Sequence, residues 1–209
     1  MIVQRGLPEA LRGDAARLYW AAFGAKLGPV LGPESRALRF FGRVIRADHA
    51  FAALDDQGAL IGLAGFKTPE GSFAGGSGAD LTAVYGTIGA AWRGMLLWAL
   101  NREVDNERFL LDGICVAETA RGQGVGSALI DRICAEGHRR GYKAVRLDVI
   151  DSNARARALY ERLGFVPVHT ERLGILRFIF GFSAATTMIK PINQDPAFNQ
   201  TYRSPDRTT

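Results

Sequence analysis

Cysteine is scarce in this chain. Of 209 residues only Cys115 and Cys134 carry a thiol. Two cysteines cannot build a disulfide framework, and they lack the paired spacing of a zinc site. Both lie among apolar neighbours and read as reduced core thiols. Histidine is nearly as rare: His49, His138 and His169 are scattered, and none is assigned to catalysis or to a metal. The opening run Met1 to Pro8 has no apolar segment of the secretory kind, so a cytoplasmic location is expected. One stretch, Leu81 to Leu100, is long enough to cross a bilayer. Arg93 sits inside it, however, and Gly86, Gly89 and Gly94 interrupt it, so it reads as a buried helix and no membrane partner is expected. No internal repeat is present, and the 25 glycines follow no collagen period.

What remains is ordinary globular composition: 47% hydrophobic and 22% charged residues. A chain of this length can bury roughly 70% of its unfolded surface, enough for a core without staples. Lys and Arg number 26 against 21 Asp and Glu, a net charge of +5. That balance suits an anionic partner such as a nucleotide or coenzyme, although mild basicity is also common without one. The pattern reads as a single domain over residues 1–192, with a helical insertion at about 70–105 and a polar, flexible tail at 193–209.

Apolar periodicity predicts a first helix from Pro8 to Phe23 and a shaped loop over Gly24–Pro33. A second helix is expected from Pro33 to about Ile45, since proline and acid favour a first turn. Two apolar runs, Ala50–Leu54 and Ala59–Phe66, flank the Asp/Gly turn 55–58 and predict a hairpin. A Gly/Ser loop follows over Pro69–Asp80. A helix from Leu81 to about Arg102 would carry Leu81, Tyr85, Ile88, Trp92 and Met95 on one apolar face. Strands are expected at Phe109–Val116, Ala144–Ile150, Phe165–Val168 and Ala185–Lys190, with helices at Val125–Arg140 and Ala154–Leu163.

The chemistry concentrates in the turn Arg121-Gly122-Gln123-Gly124-Val125-Gly126-Ser127, between a predicted strand and a predicted helix. Small or absent side chains let amides face outward, and the unpaired N–H groups of a helix's first turn make an anion site. The spacing is not that of a dinucleotide fingerprint, because Ser127 stands where the third glycine is needed, and no Gly-Lys-Ser/Thr ending supplies a Walker loop. A tight turn without a ligand is the plain structural alternative.

Arg121-x-x-Gly124-x-Gly126 resembles the acyl-coenzyme A pyrophosphate loop of the GCN5-related N-acetyltransferase (GNAT) family, and Asn153-Ala-Arg-Ala-Arg-Ala-Leu-Tyr160-Glu-Arg-Leu-Gly164-Phe165 resembles its second signature. The likeness is close from about Phe109 to Val168. It implies an α/β fold: a mixed, twisted sheet with splayed central parallel strands and flanking helices. It further implies acetyl-CoA as co-substrate, no metal, and direct acetyl transfer to a primary amine on a small molecule, peptide or protein.

Carried over by position, the backbone of Ile114, Cys115 and Val116 would bind the pantetheine arm, and Gly122, Gln123, Gly124, Val125, Gly126 and Ser127 would hold the pyrophosphate beside Arg121. A strand amide near Cys115 or Val116 would face the oxyanion. Asn153 would contact the coenzyme, or cap the helix that follows it. Tyr160 would protonate the departing thiolate. Asp112 is the candidate general base, and a structural carboxylate is the alternative; Glu118 lies just beyond the strand. Arg139, Arg140 and Lys143 could approach the 3′-phosphate or form a solvated helix end. The insertion at 70–105 departs from the family pattern and would either roof the acceptor site with the 24–33 loop or build a homodimer interface. Nucleic acid is not an expected partner. The alternatives are a toxin-type enzyme acting on aminoacyl-tRNA and a non-catalytic acyl-CoA sensor.

Overall fold

The computed structural model describes residues 1–100, 107–174 and 177–192. Its elements run β1 (Ile2–Arg5), α1 (Arg12–Leu31), α2 (Glu34–Val44), β2 (Ala50–Leu54), β3 (Leu60–Thr68), β4 (Gly71–Ser72) and α3 (Gly78–Leu100). They continue with β5 (Arg108–Val116), α4 (Val125–Arg139), β6 (Ala144–Ile150), α5 (Ala154–Arg162), β7 (Val166–Arg172), α6 (Arg177–Phe180) and β8 (Ala184–Pro191). The sheet order is β1-β2-β3-β5-β6-β8-β7, with β4 on β3. Among the described strands β5 and β6 pair in parallel and the other pairs are antiparallel, so the sheet is mixed as expected. The sequence pattern missed β1, β4 and α6, all short and without clear periodicity. The end of the insertion at 101–105 and the tail from Asn193 lie outside the described residues.

The hairpin forms where the Asp/Gly turn called for it. Asp55 Oδ1 accepts from the amides of Gln57 (2.9 Å) and Ala59 (2.8 Å), an Asx turn that sets the register of β2 on β3.

Two cores cover the two faces of the sheet. One gathers Tyr19, Val30 and Leu31 of α1, Phe40 and Phe41 of α2, and Leu81 and Tyr85 of α3. The other gathers Val125, Leu129 and Ile133 of α4, Tyr160 of α5, and Phe66, Phe109 and Leu147 of the strands.

Two expectations about the first face are overturned. The loop at Gly24–Pro33 is not a loop: α1 runs on to Leu31 through Gly24, Gly28 and Pro29. Packing outweighs propensity here. Val30 and Leu31 are fully buried, and α3 supplies donors for the carbonyls that the helix end leaves bare. The Tyr85 hydroxyl donates to Leu31 O at 2.6 Å, and Arg93 Nε donates to Val30 O at 2.7 Å. Nor does α3 carry one continuous apolar face. Gly86 adopts φ 72° and kinks it, a conformation that side-chain-bearing residues disfavour. Leu81 and Tyr85, before the kink, enter the core; Ile88 is 87% and Trp98 77% exposed beyond it.

Candidate active site

The pairing of β5 with β6 is short. Arg108, Phe109 and Leu110 align with Ala144, Val145 and Arg146, and the ladder ends there. Beyond it β5 stays bonded to β3 as far as Val116, and β6 stays bonded to β8 as far as Ile150. The two central strands therefore part, which leaves the facing edge of β5 without a strand partner among the described residues. A cleft of about 740 Å³ fills the gap, the size of a small-molecule site. It is lined by 111–116 of β5, 147–150 of β6, the glycine turn, one side of α5, residues 21–26 of α1, and Phe180 to Phe182.

A bulge in β5 sets which groups look where. Gly65 faces Gly113 and Phe66 faces Leu111, so Asp112 has no opposite number. The extra residue resets the alternation. Leu111, Ile114 and Val116 pack toward α4, while Cys115 packs toward α1. Asp112 shares that second side: its charge and that of Cys115 add to the burial that raises the Tyr19 phenol of α1 well above its usual range. The Asp112 carboxyl opens into the cleft, with protein around it on its other sides. This desolvation raises its pKa; the Ala74 amide, Lys67, Lys26 and His49 oppose the rise without cancelling it.

The glycine turn enters from the opposite face of the sheet. Gly122 and Gly124 both sit at φ +81°, and open space surrounds the position of any added Cβ. The requirement for glycine is thus conformational. Gly124 is the N-cap of α4 and offers no side-chain cap, and no acidic residue stands in the first turn. The first helical bond runs from the Ala128 amide to Gly124 O at 3.0 Å. The amides of Val125, Gly126 and Ser127 precede it, and the positive helix end is left for an anion from outside. Gln123 points away, with Nε2 donating to Thr119 O at 2.9 Å, and Arg121 lies 3.3 Å from Glu118. Glu118 itself is exposed at the rim and does not line the cleft.

Asn153 Oδ1 accepts from the Ala156 amide at 3.1 Å and caps α5, and the residue also borders the cleft. Tyr160, on the same helix, is 7% exposed. Its ring centroid lies 5.9 Å from that of Phe165, and burial pushes its phenol up to about 12. Burial likewise pushes the Cys115 thiol up to about 12.

The structure thus brings Asp112, Ile114, Cys115, Val116, Arg121, Gly122, Gly124, Val125, Gly126, Ser127, Asn153 and Tyr160 to one cleft. Gln123 stays in the turn without lining it. Arg139 and Arg140 do not come near: at the far end of α4 they hold Glu136 at 2.7–2.8 Å. The insertion also leaves the cleft lining to other segments, among the described residues. Its Ala74 amide acts on the Asp112 carboxyl.

Several lining residues escaped sequence reasoning. Arg155 and Arg162 lie within the Asn153–Phe165 run and were legible there as charges on a helix. Lys26 did not escape it: the sequence shows it as the only charge of the segment expected to be a loop, and the structure places it on α1 instead. Phe180 and Phe182 lie far along the chain, with no motif to announce them.

Comparison with known proteins agrees with this geometry. Residues 14–165 match the model of the acetyltransferase (GNAT) family. The mycothiol acetyltransferase of Beutenbergia cavernae is 53% identical over 49 residues, which is 23% of this chain and 16% of that enzyme's length. Among solved structures, a protein of Corynebacterium glutamicum described as histone acetyltransferase HPA2 and related acetyltransferase superposes with TM-score 0.63 at 20% identity, covering 93% of this chain and 97% of its own. An N-acetyltransferase of Staphylococcus aureus gives TM-score 0.61 at 12% identity, over 90% of this chain and all of its own. These two show the shared fold.

Proposed function

Because the chain belongs to the GNAT acetyltransferase family, we propose that its cleft moves an acetyl group from acetyl-coenzyme A to a primary amine by direct transfer. The observation that carries this reading is the split between β5 and β6, which opens a passage through the sheet with Tyr160 on one side and Asp112 on the other. A thioester held in the split would meet its amine from the α1 side and release its thiol toward α5.

Each wall has a task. The uncapped amides of Val125, Gly126 and Ser127, with Gly122 and Gly124 holding the turn open, suit the pyrophosphate. Arg121, Arg155 and Arg162 border the same mouth and suit the remaining phosphate. The open edge of β5 at Ile114, Cys115 and Val116 offers backbone partners to the amide-bearing arm, in the manner of an added strand. An amide from that edge would meet the oxyanion.

In the reaction the C–N bond forms and the C–S bond breaks. The acceptor ammonium sheds two protons; one ends on the thiol and one in solvent. Asp112, whose pKa burial raises from that of a free aspartate, takes a proton from the nitrogen as it attacks. Tyr160 faces the thiolate. A phenol at about 12 and a thiol of pKa ~8.5 differ by ~3.5 units, so complete proton transfer is uphill by ~5 kcal/mol. Tyr160 therefore stabilises the thiolate chiefly by donating a hydrogen bond while the C–S bond opens.

The test is calorimetric titration with acetyl-coenzyme A joined to a thiol-release assay over a panel of amines. Saturable binding with amine-dependent thiol release is expected. Binding without release would leave a coenzyme sensor, and no binding would refute the reading.

A further inference from the structure

The half of the cleft that opens toward α1 is walled mainly by apolar groups. From α1 it takes Ala21, Ala22, Phe23 and Ala25, and from the segment leading into β8 it takes Phe180 and Phe182. Ala21, Ala22 and Ala25 are all exposed. An exposed helix turn ordinarily carries long polar side chains. Three alanines in their place form a shallow shelf that leaves room for another body. Phe180 and Phe182 add a pair of tilted rings, 6.4 Å apart between centroids.

Phe23 ties this apolar wall to the reacting end. A Cβ added at Gly113 would lie 3.4 Å from Phe23 Cζ and 3.3 Å from Tyr19 Cε2, so both rings rest against the backbone of β5 one residue from Asp112. The two rings also pack on each other, 4.5 Å apart between centroids. An amine whose nitrogen reaches Asp112 therefore has an aromatic ring beside it. Charged groups on this side bear on the reacting end or on the sheet. Lys26 acts on Asp112 and opposes the rise of its pKa. Asp148 is engaged by the Thr187 hydroxyl and lies 3.5 Å from Arg146.

Resting on the acetyltransferase reading, we infer that the acceptor is a primary amine carried on an apolar body, aryl or alkyl, which lies against the α1 alanines and the Phe180 and Phe182 rings while its nitrogen reaches Asp112. Phe23 is then a specificity-determining residue: it touches the body next to the amine and takes no part in the chemistry. An apolar body gains by leaving water for these walls. A hydroxyl or a second ammonium in the same place would give up its hydration against them.

The test uses the full chain with acetyl-coenzyme A and five amines: phenethylamine, hexylamine, ethylamine, ethanolamine and putrescine. One methylene in an apolar pocket is worth about ten- to two-hundredfold in specificity. At least one of phenethylamine and hexylamine should therefore exceed the other three amines in kcat/KM by about tenfold or more. Which of the two leads tells an aryl body from an alkyl one. Phe23→Ala should remove most of that advantage, raising KM about tenfold for the preferred amine and less than about threefold for ethylamine. Ala22→Glu places a charge on the exposed shelf and should act in the same direction, which keeps the test open if Phe23→Ala does not fold. Circular dichroism and acetyl-coenzyme A titration check that each variant is folded and loaded. Ethylamine or ethanolamine used as well as both apolar amines, or a wild-type preference for putrescine, would overturn the inference. So would folded variants that lose nothing or lose equally for every amine, and so would coenzyme binding without turnover of any of the five. A wild-type chain that does not bind acetyl-coenzyme A would instead refute the acetyltransferase reading beneath it.

Discussion

Glu136→Gln should destabilise the protein, and the structure says by how much and at which pH. Glu136 sits near the C-terminal end of α4 and is almost fully buried, yet its carboxylate meets three guanidinium groups. Arg139 and Arg140 approach to 2.7 Å and Arg5 of β1 to 3.3 Å. The Arg139 hydrogen bond leads the effects that hold its pKa at about 2, against 4.5 for a free glutamate. That gap of ~2.5 units corresponds to ~3 kcal/mol. Arg139 and Arg5 are largely exposed, so solvent screening reduces the figure to ~2–3 kcal/mol. In a chain of this size such a loss lowers Tm by roughly 4–12 °C. The folded pKa is depressed, so the stabilisation is full above about 4.5 and disappears as pH falls toward about 2. Urea unfolding of wild type and variant at pH 7 and pH 3 measures this. The gap should be large at pH 7 and should shrink at pH 3. A variant within 0.5 kcal/mol of wild type at pH 7, or a pH-independent gap, would refute the reasoning.

Tyr160→Phe keeps the ring against Phe165 and removes one donor, so kcat should fall ~10²–10³-fold with coenzyme affinity unchanged in calorimetry; a kcat within threefold, with chemistry limiting, removes the role. With that phenol at about 12, wild-type kcat should show no loss from phenol ionisation as pH rises through 10, and a fall centred at 10 would contradict its burial. Gly124→Glu puts a carboxylate where the turn offers amides and demands φ +81° of a side-chain-bearing residue; acetyl-coenzyme A binding should vanish in calorimetry while circular dichroism shows the fold retained. Asp112→Asn should separate stability from activity. Its folded pKa is raised, so the charged form costs stability that is lost as pH climbs through the carboxylate range. At pH 7 the variant should melt higher than wild type in calorimetric scans and turn over amines poorly; lower Tm with full activity would make Asp112 a structural anion.

Local rules sufficed wherever a short segment carries its own reason. The Asp55–Gly58 turn, the strand Ala144–Ile150 and the start of α4 at Val125 all follow from side chains within a few residues of one another. The glycine turn was legible for the same reason: a left-handed pair of glycines before a helix leaves amides for an anion whatever the rest of the chain does. Asn153 as the N-cap of the helix that begins at Ala154 is equally close in sequence.

Long-range contacts decided the remainder. α1 extends through Pro29 because Tyr85 and Arg93, some sixty residues on, supply donors to its last carbonyls. The bulge that turns Asp112 toward α1 arises from pairing with β3, and no single-strand pattern encodes it. Lys26 joins Phe182 at one mouth of the cleft across more than 150 residues of chain. The motif residues of the turn and α5 were readable because amide geometry and helix capping act over one or two turns of chain. How widely the cleft opens was not, because the separation of β5 and β6 is set by every strand and helix packed on either side.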